Sequence, residues 1–460
     1  MLYATLAALA AALAFFIWVA LRDRSRVENL DDYLTARGSQ GALTLGLSFL
    51  ASGLGGWVLF VPPEIGAFVG PVAVVGYALA AALPFWVLAA CGPAIRRRMP
   101  QGRTIAEYAQ ERFGRGMRLW VTALSVLYML CFITAELTAI GSITAMLSEL
   151  PGSAVIVAVS VTTLIYTTWG GLRASLVTDK WQAWLLLLLL AVVVVVVLAH
   201  LPAGGTPLAW PTAPLEASLS VALTLVIAVT AANMFHQGYW QRLWSARDDS
   251  ELRRGAGLGG LLTVPVMLIM GALGMLSMAL GKSPGSPPIP FFALLSDAPS
   301  WLALPVLILA VALVASSVDT LQSGIASLVV TARPNVTLTS ARWVTVLLMV
   351  PVVLVSLQGL SVLRLFLIAD LLCATAVVPV MLGLWQRMTP RAAVVGSVAG
   401  LVGAVLPGWI SSGSVTAGLL AASFPTGIPT LAPFLGALVA SSAASIVLAW
   451  GRPARRVSLG

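Results

Sequence analysis

The sequence predicts an all-α polytopic membrane protein with about thirteen transmembrane helices, and three observations carry that prediction. The chain has 460 residues, of which 59% are apolar and only 9% charged, with a mean hydropathy of +0.97. A water-soluble domain carries about 25% charged residues to wet its surface, so a soluble enzyme and a disordered tail are both excluded. Apolar stretches recur at the length of about 20 residues that a helix needs to cross the hydrocarbon core. Finally, 24 of the 26 lysines and arginines fall in alternate loops, the asymmetry of the positive-inside rule.

In chain order, the predicted spans are 2–21, 42–68, 71–95, 119–148, 154–172, 180–200, 218–241, 256–281, 301–330, 342–358, 362–384, 391–411 and 431–450. In the first, the basic cluster Arg22, Arg24 and Arg26 follows the apolar run instead of preceding it, unlike a secretory signal. Arg37 also follows span one, and the remaining basic groups follow spans three, five, seven, nine and eleven or close the chain; only Lys282 and Arg364 stand elsewhere. This places the N-terminus outside and the C-terminus in the cytoplasm of a multi-pass plasma-membrane protein. Basic residues spread through short loops, with no groove-reading motif, argue against a nucleic-acid partner. Cys91, Cys131 and Cys373 lie far apart in apolar stretches, which excludes a disulfide framework or a zinc site.

Two spans are interrupted. Span two contains Ala51-Ser52-Gly53-Leu54-Gly55-Gly56, and span seven contains Ala231-Ala232-Asn233-Met234-Phe235-His236-Gln237-Gly238. Irregular backbone at membrane depth survives only where it is buried in protein or lines a cavity. Broken helices five spans apart are the sequence mark of an inverted-repeat transporter. Residues 42–200 and 218–384 would then be two repeats of five spans, with 2–21 and 391–450 peripheral. Close helix packing is the other reading of the glycines in span two.

Four carboxylates fall inside spans: Glu64, Glu136, Asp319 and Asp370. Charge there costs at least about 2.5–3.5 kcal/mol, so each calls for a partner or a wet cavity. Glu64 lies toward an outer end where water reaches it. Glu136 and Asp370 fit a protonated acid, an ion-paired structural group or a pathway residue equally well. Ser316, Ser317, Asp319 and Thr320 form one oxygen-bearing helix face, and such oxygens suit a hard cation; serines bonding back to their own helix would look the same.

The segment from Thr168 to Gln182, reading TWGGLRASLVTDKWQ, resembles the signature of the sodium:solute symporter family. Gln237-Gly238-Tyr239-Trp240-Gln241-Arg242 resembles that family's second broken helix, and Ala315-Ser316-Ser317-Val318-Asp319-Thr320 its sodium-site helix. The resemblance implies a LeuT-like inverted repeat of 5+5 helices with alternating access driven by sodium, and no other cofactor. It carries a sodium site onto the carbonyls of Ala51, Leu54 and Leu313 and the hydroxyls of Ser316 and Ser317. In some members a second cation is held by the positions of Asp179, Asp319 and Thr320. Many of those have a hydroxyl where this chain has Asp319, so Asp179 and Asp319 could equally hold a proton. The resemblance also puts Val229 and Asn233 where sodium–proline members have aromatic pocket residues, and Gly53 where those have an acid, which points away from proline.

The expected function is uptake of a small polar solute such as urea, an amino acid, a carboxylate or a sugar. Asn233, His236 and Gln237 are the candidate hydrogen-bonding groups for a neutral or zwitterionic solute, with Gly53, Val229, Glu136 and Asp370 beside them. A channel would need a continuous polar path. An enzyme would need a catalytic constellation that two histidines and no metal-ligand spacing do not supply. The absence of a phosphate-binding loop excludes a primary pump.

Overall fold

The computed structural model describes residues 2–22, 27, 29–201, 209–285, 288–296, 298–332, 337–359 and 362–450, and among these there is no β-strand. Arg24, Arg26, Arg333, Arg452, Arg455 and Arg456 of the charge pattern lie outside them. The helices are α1 (Leu2–Arg22), α2 (Leu30–Thr35), α3 (Ala42–Gly53), α4 (Val61–Phe68), α5 (Pro71–Arg98), α6 (Ile105–Phe113), α7 (Arg115–Leu147), α8 (Gly152–Ala199) and α9 (Leu215–Asn233). They continue as α10 (Gln237–Ser245), α11 (Asp249–Ala279), α12 (Pro290–Leu295), α13 (Ala303–Thr331), α14 (Leu338–Leu357), α15 (Leu363–Met381), α16 (Pro390–Ser412), α17 (Val415–Ala422) and α18 (Leu431–Trp450).

Both expected breaks are present. Between α3 and α4 the chain bends by 64°. Leu54 is extended (φ −112°, ψ 111°) and Gly56–Leu59 forms one 3-10 turn. Between α9 and α10 the break is confined to Met234–His236. The two broken helices are joined at one end: Gly38 and Gln40, ahead of α3, donate to the Trp244 and Ser245 carbonyls at the end of α10 (2.9 Å each).

Spans five and six differ from expectation. A loop was expected between them around Arg173 and Lys180, but Gly152–Ala199 is helical except at Gly171, where φ is 55° and ψ −145°. A straight helix of 48 residues would measure about 72 Å, more than twice the hydrocarbon core. The chain in fact reverses at Gly171. His200, just past one end of α8, and Leu147, just before the other, both share cavity walls with Ala298. Gly171 needs a glycine because its φ is left-handed and a Cβ there would lie 2.3 Å from the Tyr33 carbonyl oxygen. Eleven helices among the described residues are long and apolar enough to span, twelve with the bent pair; dividing α8 at Gly171 gives the expected thirteen.

Side-chain contacts sort the loops onto two faces. On one, Arg103 bonds Asp31 (2.8 Å), Arg173 bonds Asp32 (2.5 Å), Arg97 bonds Asp249 (2.7 Å), and Arg118 donates to the Thr331 carbonyl (2.6 Å). On the other, Ala213 donates to the Val69 carbonyl (3.4 Å) and Arg364 to Ser423 (2.9 Å), while Leu147 lies against Gly285 and Pro284. The first face holds the basic loops. Enclosed at the centre is α13, whereas α1, α14, α16 and α18 present rows of exposed apolar side chains such as Trp343, Leu347 and Val439, as lipid-facing helices do.

Candidate functional site

Two regions border the broken helices, a buried polar network and a largely apolar cavity. The first gathers residues of α3, α8, α10 and α13. Asp179 Oδ2 accepts from Ser48 Oγ (2.5 Å) and Arg242 Nη2 (2.7 Å), and its Oδ1 accepts from Ser316 Oγ (2.7 Å). The Arg242 guanidinium also donates to Ser48 Oγ (2.8 Å), the Gly238 carbonyl (2.7 Å) and Thr320 Oγ1 (3.0 Å). Asp319 accepts from Tyr166 (2.6 Å), Ser175 (2.6 Å) and Thr178 (3.2 Å), and Ser175 lies 3.3 Å from Thr320 Oγ1. Asp179, Asp319, Thr320 and Ser316 are therefore in one network, and all of these side chains are buried.

The guanidinium changes the reading of that network. Arg242 was counted with the loop charges after span seven; it is fully buried inside α10. Asp179 is ion-paired by the protein itself, so a cation or proton shared between Asp179 and Asp319 is not required to hold Asp179. Asp319 has hydroxyl donors only.

The residues expected at the sodium site lie at the first helix break and on α13. The Gly55 amide makes no backbone hydrogen bond and the Val58 amide turns to the Gly55 carbonyl (3.2 Å). The break thus leaves the Ala51 and Leu54 carbonyls without the amides that a continuous helix would supply. On α13, Ser317 Oγ is buried with no partner, whereas Ser316 is engaged by Asp179. Oxygen atoms left without donors, carbonyl or hydroxyl, are the kind of ligand a hard cation takes. Leu313 lies one turn before Ser317 on the same helix.

The second region is a cavity of about 350 Å³, within the size range of small-molecule sites. Gly53, Trp57, Tyr77, Tyr128, Glu136, Val229, Asn233 and Asp370 are among its walls. The α7 wall runs from Tyr128 to Ser142, about 21 Å along the helix, so the space extends from the breaks toward the C-terminal end of α7. Glu136 braces the first break: its Oε2 accepts from the Gly56 amide (2.6 Å), and Oε1 has no partner. Asp370 is buried, and its Oδ1 has no partner.

Of the seven expected solute-binding residues, Gly53, Val229, Asn233, Glu136 and Asp370 line this cavity; His236 and Gln237 do not. Gln237 is turned away, accepting from the Ile105 amide (3.0 Å) and donating to the Arg103 carbonyl (2.9 Å), and so anchors α10 to the start of α6. His236 stacks on Tyr239 with ring centroids 4.1 Å apart. Asn233 is occupied at both ends, by Tyr128 OH (3.1 Å) and the Val229 carbonyl (2.9 Å). Sequence reasoning missed Arg242 as the partner of Asp179, and it missed the aromatic walls. The spacing of Tyr128 and Phe132, one turn apart on a helix, was the available signal for the latter.

The profile of the sodium:solute symporter family matches residues 33–311. The chain belongs to the sodium:solute symporter family. That match takes in both broken helices and the signature segment. Among curated proteins, a spermidine transporter of Candida albicans is 29% identical over 364 residues, which cover 77% of this symporter and 69% of the relative. Among solved structures, a sodium-coupled sialic acid symporter in its substrate-bound, outward-open state superposes with a TM-score of 0.74 at 17% identity, covering 98% of this chain and 99% of that one. A nucleobase-cation-symport-1 family transporter in a closed conformation gives 0.60 at 16%, covering 93% and 97%. The fold is LeuT-like, and this symporter is a multi-pass membrane transporter.

Proposed function

We propose that the protein is a sodium-coupled symporter that imports a small organic solute across the plasma membrane by alternating access. Residues 42–200 and 218–384 would be its two repeats, with the basic face and the C-terminus cytoplasmic and the N-terminus outside. The observation that carries the reading is an unpartnered, buried Ser317 hydroxyl on α13 in a chain whose first broken helix releases the Ala51 and Leu54 carbonyls. Sodium there would tie α13 to the first broken helix, whose other side walls the cavity at Gly53 and Trp57. Ion and solute would thus bias the same bistable element. Solute binding involves Gly53, Val229, Asn233, Glu136 and Asp370. The Candida relative's printed substrate, spermidine, puts amines on the uptake panel beside urea, amino acids, carboxylates and sugars.

Uptake into proteoliposomes under an imposed sodium gradient tests this. Accumulation is expected to collapse when potassium replaces sodium, and Ser317→Ala should raise the sodium concentration for half-maximal uptake about tenfold. Sodium-independent uptake that Ser317→Ala leaves unchanged would remove the reading. A second reading, proton coupling, is favoured by Asp319, which has hydroxyl donors and no cationic partner. It predicts uptake driven by a pH gradient alone and abolished by Asp319→Asn.

A further inference from the structure

We propose that the solute is an organic cation, an aliphatic amine whose ammonium group is held by the unpartnered oxygens of Asp370 and Glu136. This rests on the reading of the cavity between the helix breaks as the solute site, and it departs from the neutral or zwitterionic solute that the sequence suggested. The cavity carries two carboxylates and no lysine, arginine or histidine among its walls. Glu136 from α7 and Asp370 from α15 both stand in the cavity wall, and each has one carboxyl oxygen, Oε1 and Oδ1, without a partner. Both side chains are at least nine-tenths buried, with Glu136 at 0% and Asp370 at 4% exposure. An unpaired carboxylate at membrane depth is costly, and an ammonium group would supply the missing charge and hydrogen bonds together.

The rest of the wall suits the same class. Trp57 and Tyr77 pack with ring centroids 5.6 Å apart, and Phe366 lies 5.5 Å from Tyr128 and 5.8 Å from Phe132. Aromatic faces attract cations and cover hydrocarbon. A carboxylate solute would find two acids and nothing basic in the wall. A sugar or urea would need several free donors and acceptors, yet the Asn233 amide is already engaged at both ends.

Binding to the full-length protein in nanodiscs, followed by calorimetry, tests the proposal with putrescine and spermidine as probes. The uncharged isostere of putrescine, 1,4-butanediol, serves as a comparison together with proline and glucose. The amines should bind, and butanediol should bind at least a hundredfold more weakly. Asp370→Asn should weaken amine binding at least tenfold with an unchanged or higher unfolding temperature, and Asp370→Glu should recover part of the loss. Preference for proline or glucose, no amine binding by folded protein, or amine affinity indifferent to both Asp370→Asn and Glu136→Gln would each overturn it. Sodium coupling fails separately: amine binding lost in Asp370→Asn but identical in sodium and potassium would sink the coupling and leave the cation site standing.

Discussion

Around Asp179 and Asp319 every carboxylate oxygen has a donor, whereas Glu136 and Asp370 each present an oxygen with none. Both pairs are buried in the same bundle, bordering the same broken helices. In the first region the chain supplies its own guanidinium, Arg242, and a set of hydroxyls. The second is left unfinished, against a cavity. A buried charge that the protein has already neutralised serves architecture and the linkage between helices. One left open, in the wall of a cavity, is a place where the proposed solute can supply the missing partner. The contrast separates, within one set of intramembrane acids, those whose oxygens are all engaged by the protein from those that keep one oxygen open beside a cavity.

The largest effect should come from Arg242. Removing one partner of a buried ion pair leaves an uncompensated charge and costs about 3–5 kcal/mol. Arg242→Met should therefore lower the unfolding temperature steeply in detergent, and the double variant Arg242→Met with Asp179→Leu should recover much of the loss. Asp370→Asn, in the unfinished region, should cost nothing in stability. Equal destabilisation by Arg242→Met and Asp370→Asn would break the comparison.

The importance of Arg242 could not be read from position alone. It follows directly on an apolar run and looks like a loop charge; its partner Asp179 is 63 residues away, and only the return of the chain brings them together. The same reason explains Gln237, which is polar at a break and yet turned away from the cavity to Ile105. The hinge at Gly171 was hidden differently, because a single left-handed glycine does what a loop of several residues was expected to do. The breaks, the carboxylates and the hydroxyl face were legible, since glycine runs and charges in apolar spans are costly anomalies in any context.

A smaller effect is expected at Gly55. A Cβ there would sit 2.2 Å from a Glu136 carboxylate oxygen, so Gly55→Ala must push that carboxylate off the Gly56 amide. If Glu136 joins the first break to the cavity, uptake should fall at least tenfold while the network of Asp179 keeps the fold assembled. Glu136→Ala in the Gly55→Ala background should relieve the clash without restoring uptake. Normal uptake by Gly55→Ala would show that the brace is unimportant for transport.

The two serines sharpen the contrast further. Ser316 donates to Asp179 and Ser317 has no partner, though they are adjacent in sequence. Ser316→Ala should lower stability by about 1.5–3 kcal/mol, the worth of a hydrogen bond to a charged group. Ser317→Ala should leave stability alone and weaken the response to sodium. Paired thermal unfolding and sodium titrations of the two variants decide the matter; interchangeable behaviour would mean that both serve the same region.

The smallest effect is expected where a paired acid lies within reach of water. Asp31 in α2 bonds Arg37 (2.7 Å) and Arg103 (2.8 Å), with its side chain 27% exposed. Burial pushes its carboxyl up, but the two guanidinium groups outweigh this and hold it below the ordinary value. A folded-state value below the unfolded one, about 3.9, stabilises the protein above that pH. The contribution is lost as the pH falls through the lowered value. Asp31→Asn should therefore cost at most about 1 kcal/mol at neutral pH, with the gap from the parent protein closing in acid. Unfolding curves across that range should converge on acidification. A gap that widened in acid, or one matching the loss in Arg242→Met, would mean that burial contributes little to the strength of the Asp179 pair, because the half-exposed Asp31 contacts would then be worth as much as a pair sealed inside the bundle.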